Sequence, residues 1–290
     1  MGKYVNITTD MGFKAVFGDA EVTRQFLNAL FSGTHYFEKV TFLDKELKPL
    51  DPNGRTVIYD LLCRDENGIE VIIEMQNYPQ RSFIERGFYY LCRAIEYHGV
   101  QGDWDYTLRP VYGVYFMNFA LPEFSDYCAE CVWANKKTGK PIEQLRTKQI
   151  YISLPLFNLQ QEECATALDR WIFTLKNMDI FEQSPFKEEA AAFERLLNVA
   201  NVNALDRHER AVYEETLKNY RDWRGVISYA AEEGEERGRA KGIEMGREEG
   251  LQEGLLEGKR LVAANLKKQG IDIQTIAECT GLSVEEINAL

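Results

Sequence analysis

Asp60 and Glu74 are carboxylates set inside apolar runs, and Gln76 follows two positions after the second. The stretch that holds them, IYDLLCRDENGIEVIIEMQ at residues 58–76, shows how they meet. Residues 57–63 and 71–75 are rich in apolar and β-favouring side chains, so each flank is expected to be a strand. Between them, a three-residue loop of Glu66, Asn67 and Gly68 suits a type I turn closed by Gly68 in the left-handed conformation. That loop sets Asp65 against Ile69 and Asp60 directly against Glu74, with Cβ atoms about 5 Å apart. By alternation, Ile58, Asp60 and Leu62 are expected to share a face with Ile72, Glu74 and Gln76. A slip of one residue would undo the pairing. Like charges opposed on a sheet repel, and in apolar surroundings they resist ionising together. Three arrangements resolve the conflict. One carboxyl can stay protonated, both can lean into water at a sheet end, or a divalent cation can sit between them. Mg²⁺ suits the last, because it takes oxygen ligands from one or two carboxylates, waters and substrate phosphates.

The elements that must hold these groups are visible in the periodicity. Residues 21–31 have helical apolar spacing at Val22, Phe26, Leu27 and Leu30. Residues 40–43 form a short strand, and the hairpin supplies two more. Residues 82–97 make an amphipathic helix anchored by Phe83. Residues 110–119, PVYGVYFMNF, form a buried strand, and residues 150–154 another. The 290 residues, 45% hydrophobic and 28% charged, suffice for one sizeable domain with an appendage. No apolar stretch is long enough to span a membrane. The first residues have no secretory h-region. Six scattered cysteines suit a reducing cytoplasm. The net charge of −12 opposes a broad electrostatic grip on nucleic acid but leaves room for a local basic groove.

An Asp, a turn and then Glu-x-Gln after an apolar run resembles the PD-(D/E)XK nuclease superfamily. Within it, the chain is most similar to the Rpn group of recombination-promoting nucleases, also called PD-(D/E)XK nuclease family transposases. The matching pieces are ordered along about the first 155 residues. TDMGFKAVFGD carries Asp10, Phe13, Lys14 and Phe17; FLNALF and LDKE follow; after the hairpin come FIERGFYYLCRAI, with Arg86 and Tyr90, and GDWDYTLRPVYGVYFMNF. The resemblance implies an α/β fold with a central mixed sheet flanked by helices in the order α-β-β-β-α-β. It also implies Mg²⁺- or Mn²⁺-dependent hydrolysis of DNA phosphodiesters. On that pattern Asp60 and Glu74 are metal ligands, and the Met75 carbonyl is a third. Gln76 takes the place of the usual Lys. It can orient water and donate through its amide, but it brings no charge. Lys14 and Arg86 are the candidate cations. Tyr59 stands where the family name has Pro. The implied function is a DNA endonuclease linked to recombination or mobile DNA, with no separate strand-transfer site despite the word transposase. The rival is a binding module that keeps the fold without turnover, which the net acidity favours.

The rest of the chain offers less chemistry. Cys128 and Cys131 form a lone CxxC, for which packing is the expectation. His35, His98 and His208 have no partner visible in the sequence. Helical patterns run through residues 164–178, 188–202 and 206–230. Glycines then recur every fourth residue from Gly234 to Gly258 in a field of nine acids and six bases over residues 232–260. Each glycine costs a helix about 1 kcal/mol against alanine, so a weakly helical, solvated linker is expected, the alternative being two helices packed closely over two or three of the glycines. Residues 273–290 have the rhythm of a helix-turn-helix, with Ala277, Gly281 and Ile287 at suitable offsets. Glu285 and Glu286 oppose phosphate there, so self-association or contact with a partner is favoured over DNA reading. The expected organisation is a nuclease core at residues 1–155, a helical extension at 156–231, the charged Gly-repeat segment at 232–260 and a helical hairpin at 261–290. The expected partners are DNA and further copies of the chain, with no membrane.

Overall fold

In the computed structural model, residues 2–49, 53, 55–99, 102–186 and 190–290 are described. Two helices open the chain. α1 is Asp10–Phe17, and its first turn is capped by the Thr9 hydroxyl, which accepts from the Gly12 N–H. α2 is Ala20–Leu30, capped by Asp19, whose carboxylate accepts from the N–H groups of Glu21 and Val22. Strands β1 (Val40–Phe42), β2 (Glu46–Leu47), β3 (Val57–Ile58), β4 (Leu61–Asp65) and β5 (Glu70–Gln76) follow. Helix α3 (Phe83–Glu96) crosses to β6 (Val111–Met117), which runs parallel to β5 as such a crossover permits. β7 (Cys128–Val132) and β8 (Thr147–Ser153) complete the sheet. The six strands lie in the order β1-β4-β5-β6-β8-β7, a mixed central sheet flanked by helices, as the family pattern implies. β2 and β3 form a separate two-stranded ribbon that the sequence does not announce.

Alternation along β5 and β6 divides the interior between the two faces of the sheet. Val71, Ile73, Val114 and Phe116 join Phe13, Phe17, Phe26 and Trp171 in the larger core, beneath α1, α2, α4 (Ala167–Asn177) and α5 (Ala190–Val199). Ile72 and Val111 face the other way and pack with Val57, Tyr59, Leu62 and Leu91 under α3. Phe83, Tyr115 and Tyr151 continue that second layer. Of the helix expected at residues 188–202, positions 188 and 189 lie outside the described residues.

α6 is Arg207–Lys268, unbroken through the glycine repeat, so the expected weakly helical linker is a continuous helix. It belongs to two compact units, Met1–Tyr220 and Arg221–Leu290. In the second unit, α7 (Ile273–Thr280) and α8 (Val284–Ala289) bury Ile276, Leu282 and Ile287 with Ala263. Asp272 and Ser283 cap the two short helices. No helix among the described residues is long and apolar enough to cross a membrane.

Candidate active site

The hairpin forms in the expected register. Leu61 pairs with Ile73, Leu62 with Ile72 and Cys63 with Val71. Gly68 closes the turn at φ +83°, the left-handed conformation that glycine adopts without a steric penalty. The Asp65 N–H donates to the Ile69 carbonyl at 3.0 Å.

The strand before Leu61 departs from the expectation. Residues 57–63 are not one strand: β3 ends at Ile58, the chain bends at Tyr59 and Asp60, and β4 begins at Leu61. The bend shifts the alternation by one residue. Val57, Tyr59 and Leu62 are buried in the same layer, and Ile58 is exposed against Glu46 in the ribbon. Ile58 therefore does not share the face of Leu62, because the Tyr59 N–H has left the hairpin to donate to the Lys45 carbonyl at 2.9 Å.

That departure gives the Asp60 carboxylate a structural task. Val71 and Ile73 pair with Cys63 and Leu61, so the next inward-turned N–H on β5 is that of Met75. With Tyr59 turned away, Asp60 Oδ2 accepts the Met75 N–H at 2.9 Å, and the Asp60 N–H donates to Glu74 Oε1 at 3.0 Å. The two carboxylates are thus locked side by side through backbone groups. The Gln76 carbonyl accepts from the Asn118 N–H on the β6 side, so the Met75 carbonyl, one residue earlier, faces Asp60.

Both acids resist ionisation. Burial pushes Glu74 up, the charge of Asp60 pushes it further, and its pKa reaches about 8. Burial also raises Asp60, against the Met75 N–H and the charge of Lys14, which lower it. The Arg86 charge and the Gln76 amide favour ionised Glu74. Lys14, Arg86 and Gln76 are therefore all brought to the carboxylate pair, from α1, α3 and the end of β5. Lys14 forms an ion pair with Asp10 at 2.6 Å. Arg86 lies over the rings of Phe83 and Tyr90 and donates to Gln80 Oε1. The start of α1 is held to the end of β5 by Asn77 Nδ2, which donates to the Thr8 carbonyl at 2.6 Å.

Two charged groups at this place were given no site role from the sequence. Asp10 raises Asp60 and Lys45 lowers it. Their signals were the TDMGFK and LDKE segments, which carry them. The described residues contain no cluster of three or more His, Cys, Asp or Glu that could hold a metal, so a cation here would rest on two carboxylates and a carbonyl.

The other polar candidates lie elsewhere. Cys128 and Cys131 fall three apart on β7 and so point to opposite faces, Cys128 into the larger core and Cys131 beside Phe83 and Tyr151. His35 does have a partner, buried Asp65 at 2.8 Å, and His98 lies 3.4 Å from Glu70.

Nothing among curated proteins or solved structures matches the chain. Residues 7–230, more than three quarters of its length, match the model of the PD-(D/E)XK nuclease family transposase, and the chain belongs to that family.

Proposed function

We infer that the protein is a metal-dependent DNA endonuclease with Asp60, Glu74 and Gln76 at its centre. One observation carries the reading: half-buried Asp60 and buried Glu74 are locked side by side through backbone groups, with Glu74 raised in pKa by burial and by the charge of Asp60, in a chain that belongs to a nuclease family. The residues fit a hard divalent cation. Asp60 Oδ2 and Glu74 Oε1 are engaged by backbone N–H groups, which leaves one oxygen of each carboxylate to join the Met75 carbonyl in an all-oxygen set. Mg²⁺ or Mn²⁺ accepts such a set and completes it with water and phosphate. When bound, the cation supplies a water of lowered pKa and neutralises charge on the scissile phosphate.

The chain's own groups divide the remaining work. Gln76 orients the attacking water through its side-chain carbonyl, and its amide rests against Glu74. Arg86 and Lys14 provide the positive charge that a Lys at position 76 would have given. Burial under α3 keeps bulk water from screening these charges. The family's description as transposases supports a link to recombination or mobile DNA. Six free thiols support a reducing, cytoplasmic setting. Self-association is assigned to the second unit, where Leu251, Leu255 and Leu261 of α6 are exposed.

Supercoiled plasmid incubated with the protein tests this reading. Nicking is expected with Mg²⁺ or Mn²⁺, none in EDTA and none with Asp60→Asn. Cleavage that persists in Asp60→Asn, or none by the wild type with either metal, overturns it.

A further inference from the structure

The nuclease reading leaves open how a chain with a net charge of −12 holds a polyanion. Cavities, charged clusters and exposed apolar patches point to one place, the segment that leaves β7 and returns as β8. Residues 130–149 carry five bases and two acids, a local balance of +3 in an acidic protein. Lys136, Lys137, Lys140 and Arg146 are exposed, and among the described residues none of them has a carboxylate partner. Lys148 alone is paired, with Glu130 at 2.7 Å. The segment is a built hairpin: Asn135 N–H donates to the Lys140 carbonyl and Ile142 N–H to that of Trp133, both at 2.9 Å.

Beside these cations the hairpin presents an exposed indole. Trp133 is 48% exposed and meets Phe88 of α3, itself 42% exposed, edge to face at 5.8 Å. The two rings border an open, mostly apolar cavity of about 410 Å³, with Ile84 and Leu91 on one wall and Cys131 on the other. A second hollow of about 450 Å³ lies on the other side of Trp133, next to Arg146. These volumes are in the range of pockets that hold small planar groups.

Aromatic faces flanked by unpaired lysines match single-stranded nucleic acid. Unstacked bases offer π-faces to the rings, and their phosphates lie within reach of the cations. A duplex keeps its base faces stacked and offers the rings nothing. The location also suits a nuclease. Glu74 stands level with Tyr115, Tyr151 and Ala129 across the sheet, and Trp133 lies four residues beyond Ala129. At about 4.8 Å per strand and 3.4 Å per residue, the two places are on the order of 20 Å apart. Both lie on the sheet face that α3 covers, one on each flank of the helix: Arg86 and Tyr90 turn to the carboxylates, Glu85 and Phe88 to the cavity.

We propose that the hairpin at residues 130–149, with Trp133 and Phe88, is a single-strand grip that holds unpaired DNA beside the carboxylate site. The proposal deepens the nuclease reading, but its test does not depend on turnover. Binding of fluorescein-labelled dT15 is measured by anisotropy in EDTA, where no cleavage is expected. Trp133→Ala should weaken binding about tenfold, and Trp133→Phe should recover most of the loss. Replacing Lys136, Lys137 and Lys140 by Ala should flatten the salt dependence by about two units of log–log slope. The same hairpin changes should reduce duplex binding less than dT15 binding. Circular dichroism confirms that each variant is folded. Wild-type protein that does not bind dT15, or folded variants that bind it as the wild type does, overturn the grip. Plasmid assays with Mg²⁺ run in parallel separate the two readings. Cleavage with unaltered dT15 binding in the variants removes the grip alone, and a Trp133-dependent grip without any cleavage removes the nuclease alone.

Discussion

Burial and the charge of Asp60 together lift Glu74 to a pKa of about 8, from an ordinary carboxylate value of 4.5. The consequence for stability has a definite sign. A carboxyl whose pKa is higher folded than unfolded is held best while protonated. Its contribution is complete below about pH 4.5 and is lost as pH rises through about 8. At pH 9 the folded protein carries a buried charge on Glu74 beside that of Asp60, and both its burial and the neighbouring charge destabilise the fold. Glu74→Gln keeps the side-chain oxygen that accepts the Asp60 N–H and removes the charge. In EDTA at pH 9 it should melt about 5 °C or more above the wild type, with the gap closing by pH 4. Mg²⁺ at pH 8 should raise the melting temperature of the wild type and leave that of the variant nearly still, because the cation binds the folded pair and not the unfolded chain. A variant that melts lower at pH 9 would show that Glu74 is a structural anion. Gln76 separates from its neighbours in another readout. If it orients water, Gln76→Ala should cut turnover severalfold or more while the Mn²⁺ affinity of the Asp60–Glu74 pair stays within about threefold; an undiminished rate at saturating metal would remove Gln76 from the mechanism.

The element that finishes the site is α3, and two glycines let it lie close on the sheet. Tyr115 OH donates to the Gly87 carbonyl at 2.8 Å, and a Cβ at Gly87 would stand 3.0 Å from the Tyr115 ring. A Cβ at Gly113 would stand 2.6 Å from the same ring, which is stacked on Tyr151 and has no room to retreat. Gly113→Ala should therefore cost about 1–3 kcal/mol in denaturant unfolding. Displacing Tyr115 moves α3, so cleavage should also fall severalfold at temperatures where the variant is fully folded. An unchanged rate would mean that Arg86 does not depend on this seat. The elements also show where sequence patterns carry information. The hairpin register was legible because a three-residue loop with Gly68 admits one pairing, and the strand pairs from Leu61–Ile73 to Arg64–Glu70 follow it. The bend at Tyr59 was not legible. Residues 57–63 are continuously apolar around Asp60, and what breaks them is a pairing with Glu46 and Leu47, two residues too few to show a period. β7 was missed for a related reason: Cys128–Val132 is an edge strand whose side chains are only partly buried, so its alternation is faint. Asp60 and Glu74 could be found from residue types and spacing. Lys14 and Arg86 could be found only through family resemblance, since solvated helix cations have no distinguishing pattern. The glycine repeat misled in the other direction. Seven glycines at about 1 kcal/mol each argue against a helix, yet α6 runs through all of them.

At the scale of the whole molecule, the two compact units have separate interiors. The larger core draws its residues from Tyr4 to Leu217, and the C-terminal cluster draws its own from Ala263 to Ile287. Between them, α6 carries exposed Trp223, Val226, Tyr229, Leu251, Leu255 and Leu261, with glycines where side chains would otherwise keep a second helix away. A helix so exposed gains little from burial within its own chain, and its apolar positions would gain more against another copy. The glycines drift about 40° per step at a spacing of four, so two such helices would touch over two or three glycines at a crossing rather than along a straight seam. The charge of residues 232–260, a net −3, leaves both signs available for pairing at the rim of that crossing. A chain truncated after Ala231 should then keep its melting temperature within about 2 °C, because every residue of the larger core is retained. Its cleavage rate should stay within about threefold, since Asp60, Glu74, Gln76, Lys14 and Arg86 all lie in the retained unit. Light scattering should report a multiple of the chain mass for the full-length protein and a single chain mass for the truncated one. An equal number of chains per particle in both forms would place the association elsewhere or abolish it, and a truncated protein that melts far earlier would show that the first unit depends on the second.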